Sequence, residues 1–238
     1  MDGQLAIILL TLLAGATIPL GGLLASFESI QPRWMKDELR HFIIAFGGGA
    51  LLAAVALVLV PEGIKAVPVW QVALWMVTGS LAFMGLDLRL AKNGSPAAQL
   101  TAMLADFVPE ALALGAAAAG GGSAGLVLAL LIALQNLPEG FNSFREVRHA
   151  GNSTRHVLLI FCMLTLLGPI CGLTGYHLLA GHDALIGAIM LFASGGILYL
   201  VFQDIAPQAK LARHWTPPLG AVAGFLLGLI GELLLNPG

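Results

Sequence analysis

Residues 5–27 read LAIILLTLLAGATIPLGGLLASF, a run of 23 residues that contains no charged side chain. The hydrocarbon core of a bilayer, about 30 Å thick, is crossed by roughly 20 helical residues. The run is therefore long enough to span a membrane as a helix. No basic residue precedes it, so we expect a retained span and not a cleaved signal peptide.

Seven further apolar runs of similar length follow along the chain. The predicted spans are 5–27, 39–61, 69–91, 97–119, 124–144, 156–180, 184–206 and 216–235. Only short connections remain between them, so we expect residues 1–238 to form a single transmembrane domain. The sequence predicts an all-α polytopic membrane protein with eight transmembrane helices.

Composition supports a lipid environment. Apolar residues make up 58% of the chain, charged residues 10%, and the mean hydropathy is +0.90. Soluble proteins are closer to about half apolar and a quarter charged. The lipid bilayer is therefore a predicted partner. The net charge of −2 and the absence of a basic run give no indication of nucleic-acid binding.

The placement of basic residues predicts the orientation. When the connections are assigned alternately to two sides, ten of the eleven Lys and Arg residues fall on one side and only Lys65 on the other. The ten are Arg33, Lys36, Arg40, Arg89, Lys92, Arg145, Arg148, Arg155, Lys210 and Arg213. The positive-inside rule makes their side cytoplasmic and puts both termini on the non-cytoplasmic side.

Two of the predicted spans carry acids. Asp106 and Glu110 lie in the fourth, and Gln135, Asn136 and Glu139 lie in the fifth. The spacing of four residues within 106/110 and within 135/139 puts each pair on one helix face. A short connection makes the two helices antiparallel, so the polar side chains are expected at matching depths. Intramembrane carboxylates are costly and mark ion paths or paired charges.

Neither acid-bearing span contains a Lys or Arg. Three carboxylates close together in a low dielectric repel one another, and they take up protons unless a cation joins them. Pro109 and Pro138 each free a backbone carbonyl one turn earlier, which adds oxygen atoms at the same depth. The pattern indicates a cation site or a proton site; the alternative is a pair of kinked helices with protonated, hydrogen-bonded acids.

These two segments resemble the ZIP family of divalent-metal transporters, whose fourth and fifth helices each carry a version of His-Asn-x-Pro-Glu-Gly. Gln135–Gly140 reads QNLPEG, and Asp106–Ala111 reads DFVPEA. Val60–Gly63, VPEG, and Ala193–Pro207, which includes Gln203 and Asp204, are similar to the family's second and seventh helices. The predicted topology is also that of the family.

The resemblance implies a metal site whose family histidines are replaced here. The implied ligands are Asp106, Glu110, Gln135, Asn136 and Glu139. A second, adjacent site of many members falls on Phe107, Asn136 and Gly168, and neither a phenyl ring nor a glycine hydrogen binds metal. We therefore expect a single oxygen-rich site between helices 4 and 5.

Ligand chemistry predicts the cargo. Carboxylate and amide oxygens suit harder ions, whereas imidazole suits zinc. The expected preference shifts from Zn²⁺ toward Mn²⁺ or Fe²⁺, with Cd²⁺ and Mg²⁺ as further candidates and no other cofactor. Gln203 and Asp204 are candidates for a cytoplasmic exit path and Glu62 for an entrance; the alternative for all three is anchoring at the interface.

The resulting functional hypothesis is a divalent-cation transporter that works by alternating access. The alternatives are a non-transporting metal sensor or structural relative, and a proton-coupled carrier of another solute. An enzyme is not expected, because HExxH is absent and the GxSxG match at Gly121–Gly125 lacks a strand-to-helix context. Composition and short connections suit a bacterial inner membrane, and a homodimer is a candidate assembly.

Overall fold

The computed structural model describes residues 3–27, 33–93, 98–119, 124–179, 181–210 and 215–235. These segments form eight helices and contain no strand. The helices are α1 Gly3–Phe27; α2, composed of Arg33–Ala53, π-helical Ala54–Leu59 and Val60–Ala66; α3 Val69–Asn93; α4 Ala98–Ala119; α5 Ala124–His149; α6 Thr154–Leu179; α7 Asp183–Ala209; and α8 Leu219–Leu235. Arg213 and Gly121–Ser123 of the GxSxG match lie outside the described residues.

Five helices are long and apolar enough to cross a membrane, namely α1, α2, α3, α6 and α7. Helix α8 is apolar but has only 17 residues. Helices α4 and α5 carry the acids and are not among the five. The prediction of an all-α polytopic membrane protein is confirmed, whereas the orientation of the termini and the single domain stay predictions.

Several helices run further than the apolar pattern predicted, and two of the extensions matter for the site. Helix α2 continues past Pro61 to Ala66, and α5 continues past residue 144 to His149. In α2 the π-helical segment Ala54–Leu59 ends two residues before the proline. A π turn changes the hydrogen-bond register and so accommodates a proline nitrogen that has no proton to donate. Pro61 therefore does not end the helix.

The helices pack in two groups of four. Helices α1, α4, α5 and α6 pack against one another, and α2, α3, α7 and α8 form the other group. Contacts of α2 with α5 and of α4 with α7 join the groups. Both acid-bearing helices therefore belong to the first group.

Helices α1 and α5 approach closely beside the acid of α5. A methyl group at Gly140 would overlap the carbonyl oxygen of Ile18, and one at Gly21 would overlap that of Leu137. Small residues allow such close backbone contact between membrane helices. The contact fixes the Pro138–Gly140 segment of α5 against α1.

Candidate metal site

Helices α4 and α5 bring their polar side chains together at matching depths. The Gln135 amide nitrogen Nε2 donates a hydrogen bond of 2.5 Å to Oε2 of Glu110. Glu139, one turn further along α5, lies within electrostatic range of both Asp106 and Glu110. The convergence expected from the sequence spacing is therefore present for these four residues.

The site is buried. Asp106 is 3% exposed, and Glu110, Gln135 and Asn136 are each 0% exposed, while Glu139 is partly buried. Within the described parts of the chain, no Lys or Arg lies within ion-pair distance of the three carboxylates. An unpaired buried charge costs several kcal/mol, on the order found for buried ions in proteins. The arrangement therefore favours a bound cation or proton.

Each of the five side chains has a buried oxygen without a hydrogen-bond partner. These atoms are Asp106 Oδ1, Glu110 Oε1, Gln135 Oε1, Asn136 Oδ1 and Glu139 Oε2. A buried polar atom left without a partner costs about 1–3 kcal/mol, and native proteins contain few such atoms. Four of these atoms belong to the side chains that α4 and α5 bring together, and such a group of unpartnered acceptors fits a cation.

The amide nitrogens are already engaged, so the amides present their oxygens as the free atoms. Gln135 donates to Glu110, and Asn136 Nδ2 donates to the carbonyl oxygen of Ala14 in α1 at 3.1 Å. Oxygen donors of this kind suit hard divalent ions. Among the described residues, no three His, Cys, Asp or Glu side chains form a metal-binding group by themselves. The carboxylates therefore need the amide oxygens, or a rotation of Glu139, to enclose an ion.

Phe107 fills the space beside Gly168. The Phe107 side chain is 1% exposed, and its Cζ atom would lie 3.1 Å from a Cβ at Gly168 and 3.1 Å from a Cβ at Gly15. A side chain at residue 168 would therefore meet the ring. The ring therefore occupies the room beside Gly168, and the single site stays a prediction.

A cavity of about 210 Å³ reaches the site from one end of the bundle. Its walls include Asp106, Glu139, Asp87, Asp204 and Glu146, contributed by α3, α4, α5 and α7. These residues lie toward the helix ends that the placement of basic residues predicts to be cytoplasmic. The cavity therefore gives the site an acidic access route from one side.

Asp87 and Asp204 are two of the carboxylates that line the cavity. Asp87 Oδ2 accepts a hydrogen bond of 2.9 Å from the Tyr199 hydroxyl. Neither Asp87 nor Asp204 forms an ion pair with a Lys or Arg in the part of the chain that the structure describes. The nearby Arg89 and Lys210 therefore do not neutralise these two carboxylates.

The three path candidates lie in different surroundings. Asp204 lines the cavity, whereas the neighbouring Gln203 is exposed and is not among the lining residues. Glu62 lies beyond the π-helical part of α2 and pairs with Lys65 at 2.7 Å. Sequence reasoning missed Ser143, which also lines the cavity. The signal was available, because Gln135, Glu139 and Ser143 follow one another at intervals of four residues.

Comparison with known proteins gives a family. The family model for ZIP zinc transporters matches residues 96–236, more than half of the chain. The zinc transporter SLC39A7 of Homo sapiens is 27% identical over 158 residues, which cover 63% of this chain and 32% of that protein. The SLC39A7 protein of Pongo abelii matches with the same identity and coverage. The match thus spans about a third of the length of these relatives.

The matched region contains both acid-bearing helices, α4 and α5, together with α6, α7 and α8. It includes the QNLPEG segment, from which the resemblance was inferred, and all five side chains with unpartnered oxygens. The chain belongs to the ZIP zinc transporter family.

Proposed function

We propose that this protein transports a divalent metal cation across the membrane through a single oxygen-rich site between α4 and α5. The ligands are Asp106, Glu110, Gln135, Asn136 and Glu139. The observation that carries the proposal is the set of five buried oxygens without partners, one on each of these side chains. A cation supplies the missing partner to all of them at once.

Charge balance supports the same assignment. Glu110 and Glu139 act as charged ligands, and Asp106 stands where the family resemblance places a histidine. Gln135 and Asn136 supply neutral oxygens. Two or three carboxylates around one divalent ion leave the site close to neutral, which limits the cost of carrying charge through the membrane.

The donor set bears on the cargo. The matched relatives are named as zinc transporters, and carboxylates do bind zinc. The five proposed ligands include no imidazole, and oxygen donors favour harder ions. We therefore propose transport of Mn²⁺ or Fe²⁺ in preference to Zn²⁺, with Cd²⁺ and Mg²⁺ as further candidates.

The position of the cavity supports alternating access. The cavity lies between the two groups of helices and approaches the site from the predicted cytoplasmic end. All five proposed ligands belong to the group formed by α1, α4, α5 and α6. A movement of this group against the other would close the cavity and open the opposite side.

The proposed setting is a bacterial inner membrane, and a homodimer is the proposed assembly.

Metal uptake by proteoliposomes tests the proposal. Purified protein is reconstituted, and uptake of Mn²⁺, Fe²⁺, Zn²⁺, Cd²⁺ and Mg²⁺ is compared with that of a Glu110→Ala, Glu139→Ala double variant. Uptake that disappears in the double variant supports transport through this site. Metal binding by folded protein without uptake would favour a sensor, and uptake of another solute driven by a proton gradient would favour a proton-coupled carrier.

A further inference from the structure

Ser143 is a buried serine whose hydroxyl group makes no hydrogen bond. Its side chain is 1% exposed, and its Oγ atom has no hydrogen-bond partner. It lies in α5 and lines the cavity that reaches the metal site. A buried hydroxyl in this state is unusual and calls for an explanation.

The other buried hydroxyl side chains behave differently. Within the described residues, Thr11 donates to the Ile7 carbonyl at 2.7 Å, Thr165 to the Phe161 carbonyl at 3.1 Å and Ser194 to the Met190 carbonyl at 2.7 Å. A bond to the preceding turn is the usual way in which a helix satisfies a serine or threonine. Ser143 makes no such bond, so its hydroxyl is left without a partner beside the cavity that the residue lines.

The position of Ser143 connects two acidic regions. It lies one helical turn from Glu139, whose unpartnered Oε2 also faces the site. Beyond Ser143, the cavity wall carries Glu146, Asp204 and Asp87. Along α5, Ser143 therefore lies between Glu139 and Glu146, and all three residues line the cavity that a cation would follow.

We propose that Ser143 is a further metal-contacting residue, which binds the cation transiently as the ion moves between Glu139 and the cavity. The hydroxyl oxygen replaces a ligand that the ion loses on leaving the site, so the ion keeps its coordination along the route. This inference rests on the proposed site between α4 and α5. Ser143 is thereby a determinant of transfer rate and of ion preference.

Two substitutions separate this role from a packing role. Ser143→Ala should reduce the rate of Mn²⁺ uptake roughly tenfold, the low end of the loss seen when groups around a metal site are removed. Ser143→Cys should raise Cd²⁺ uptake relative to Mn²⁺, because a thiolate prefers soft ions. The matched control is Ser194, which is equally buried but bonded to its own helix and absent from the cavity wall. Ser194→Ala and Ser194→Cys should leave both the rate and the preference unchanged.

A binding measurement keeps the test independent of transport. Cd²⁺ is added to detergent-solubilised Ser143→Cys protein, and the cadmium–thiolate absorption is compared with that of Ser194→Cys protein, so that Cys162 and Cys171 contribute equally to both. We expect an additional signal for Ser143→Cys that disappears when Glu139→Ala is combined with it, because both residues contact one ion.

The combination of outcomes distinguishes the two claims. Wild-type uptake without the Glu139-dependent signal would overturn the role of Ser143 and leave the transport proposal standing. The signal without wild-type uptake would overturn transport and retain Ser143 as a ligand. Absence of both would overturn both, and uptake unchanged in Ser143→Ala would remove the rate role.

Discussion

Replacing Glu110 by glutamine should change the stability of the protein in opposite directions with and without metal. Glu110 is fully buried, its Oε2 accepts from Gln135, and its Oε1 has no partner. Glu110→Gln keeps the shape and the acceptor for Gln135 but removes one of three neighbouring negative charges. The NH₂ group of the new glutamine can also donate a hydrogen bond to one of the neighbouring unpartnered oxygens. Because an unsatisfied buried acceptor costs about 1–3 kcal/mol, the metal-free variant should be more stable than the wild type by about that amount.

The response to metal should fall in the same variant. A ligand at 100 times its Kd stabilises a protein by about 2.7 kcal/mol. Loss of a group around a metal site weakens binding about 10–100-fold, and a direct ligand stands at the upper end. At a 100-fold weaker affinity the same metal concentration equals Kd, and the stabilisation falls to about 0.4 kcal/mol.

Thermal unfolding in detergent measures both effects. For a chain of this size, 1 kcal/mol corresponds to about 2–4 °C in Tm. The metal-free Tm of Glu110→Gln should rise by about 2–12 °C, and its metal-induced shift should fall from about 5–11 °C in the wild type to below about 2 °C. Glu232→Gln in α8 is the matched control and should retain the wild-type metal shift. A lower metal-free Tm together with an unchanged metal shift would refute the assignment of Glu110 as a ligand.

Three further predictions concern selectivity, packing and stoichiometry. Gln135→His restores an imidazole at the site and should raise the affinity for Zn²⁺ relative to Mn²⁺ by about tenfold or more in competitive titration, since imidazole suits zinc. Gly140→Ala should destabilise the protein by about 1–3 kcal/mol, as overpacking does, because the methyl group meets the carbonyl oxygen of Ile18; Gly85→Ala, with nothing within 4 Å of the added carbon, should not lower Tm. Equilibrium dialysis should give one tightly bound Mn²⁺ per chain, because Phe107 fills the neighbouring space.

Each of these predictions has a contrary result. An unchanged ratio of Zn²⁺ to Mn²⁺ affinity in Gln135→His would mean that residue 135 does not contact the ion. Equal Tm values for Gly140→Ala and Gly85→Ala would contradict the close α1–α5 contact. Two tightly bound ions per chain would contradict the single site. If both ions were lost in a Glu110→Ala variant, the second ion would also be bound between α4 and α5.

Local sequence rules were sufficient to predict the eight helices and the pairing of polar side chains between α4 and α5. Apolar runs of about 20 residues identify membrane helices, and the four-residue spacing in α4 and α5 aligns their acids. The contact between Gln135 and Glu110 follows from that spacing and from the antiparallel order of two helices joined by a short connection. In each case the cause lies within one helix or one pair of neighbouring helices.

Features that depend on contacts between distant helices were not predictable in this way. The continuation of α2 past Pro61 rests on the π-helical segment before it, which apolar spacing does not reveal. The acidic cavity brings Asp87 of α3 and Asp204 of α7 beside Glu139 of α5, and only the packing of the two helix groups does so. Asn136 Nδ2 donates to the Ala14 carbonyl of α1, which leaves Asn136 Oδ1 without a partner. This hydrogen bond likewise depends on the position of α1 and could not be predicted from local spacing.

The most direct test of the central claim is to locate the ion. Crystals of the protein grown with Mn²⁺ would be measured at a wavelength where manganese scatters anomalously. The account predicts a single anomalous peak between α4 and α5, in contact with oxygens of Glu110, Gln135 and Glu139, and no second peak beside Phe107. A folded protein whose manganese peak lies away from these residues, or that gives no peak in the bundle at all, would contradict it.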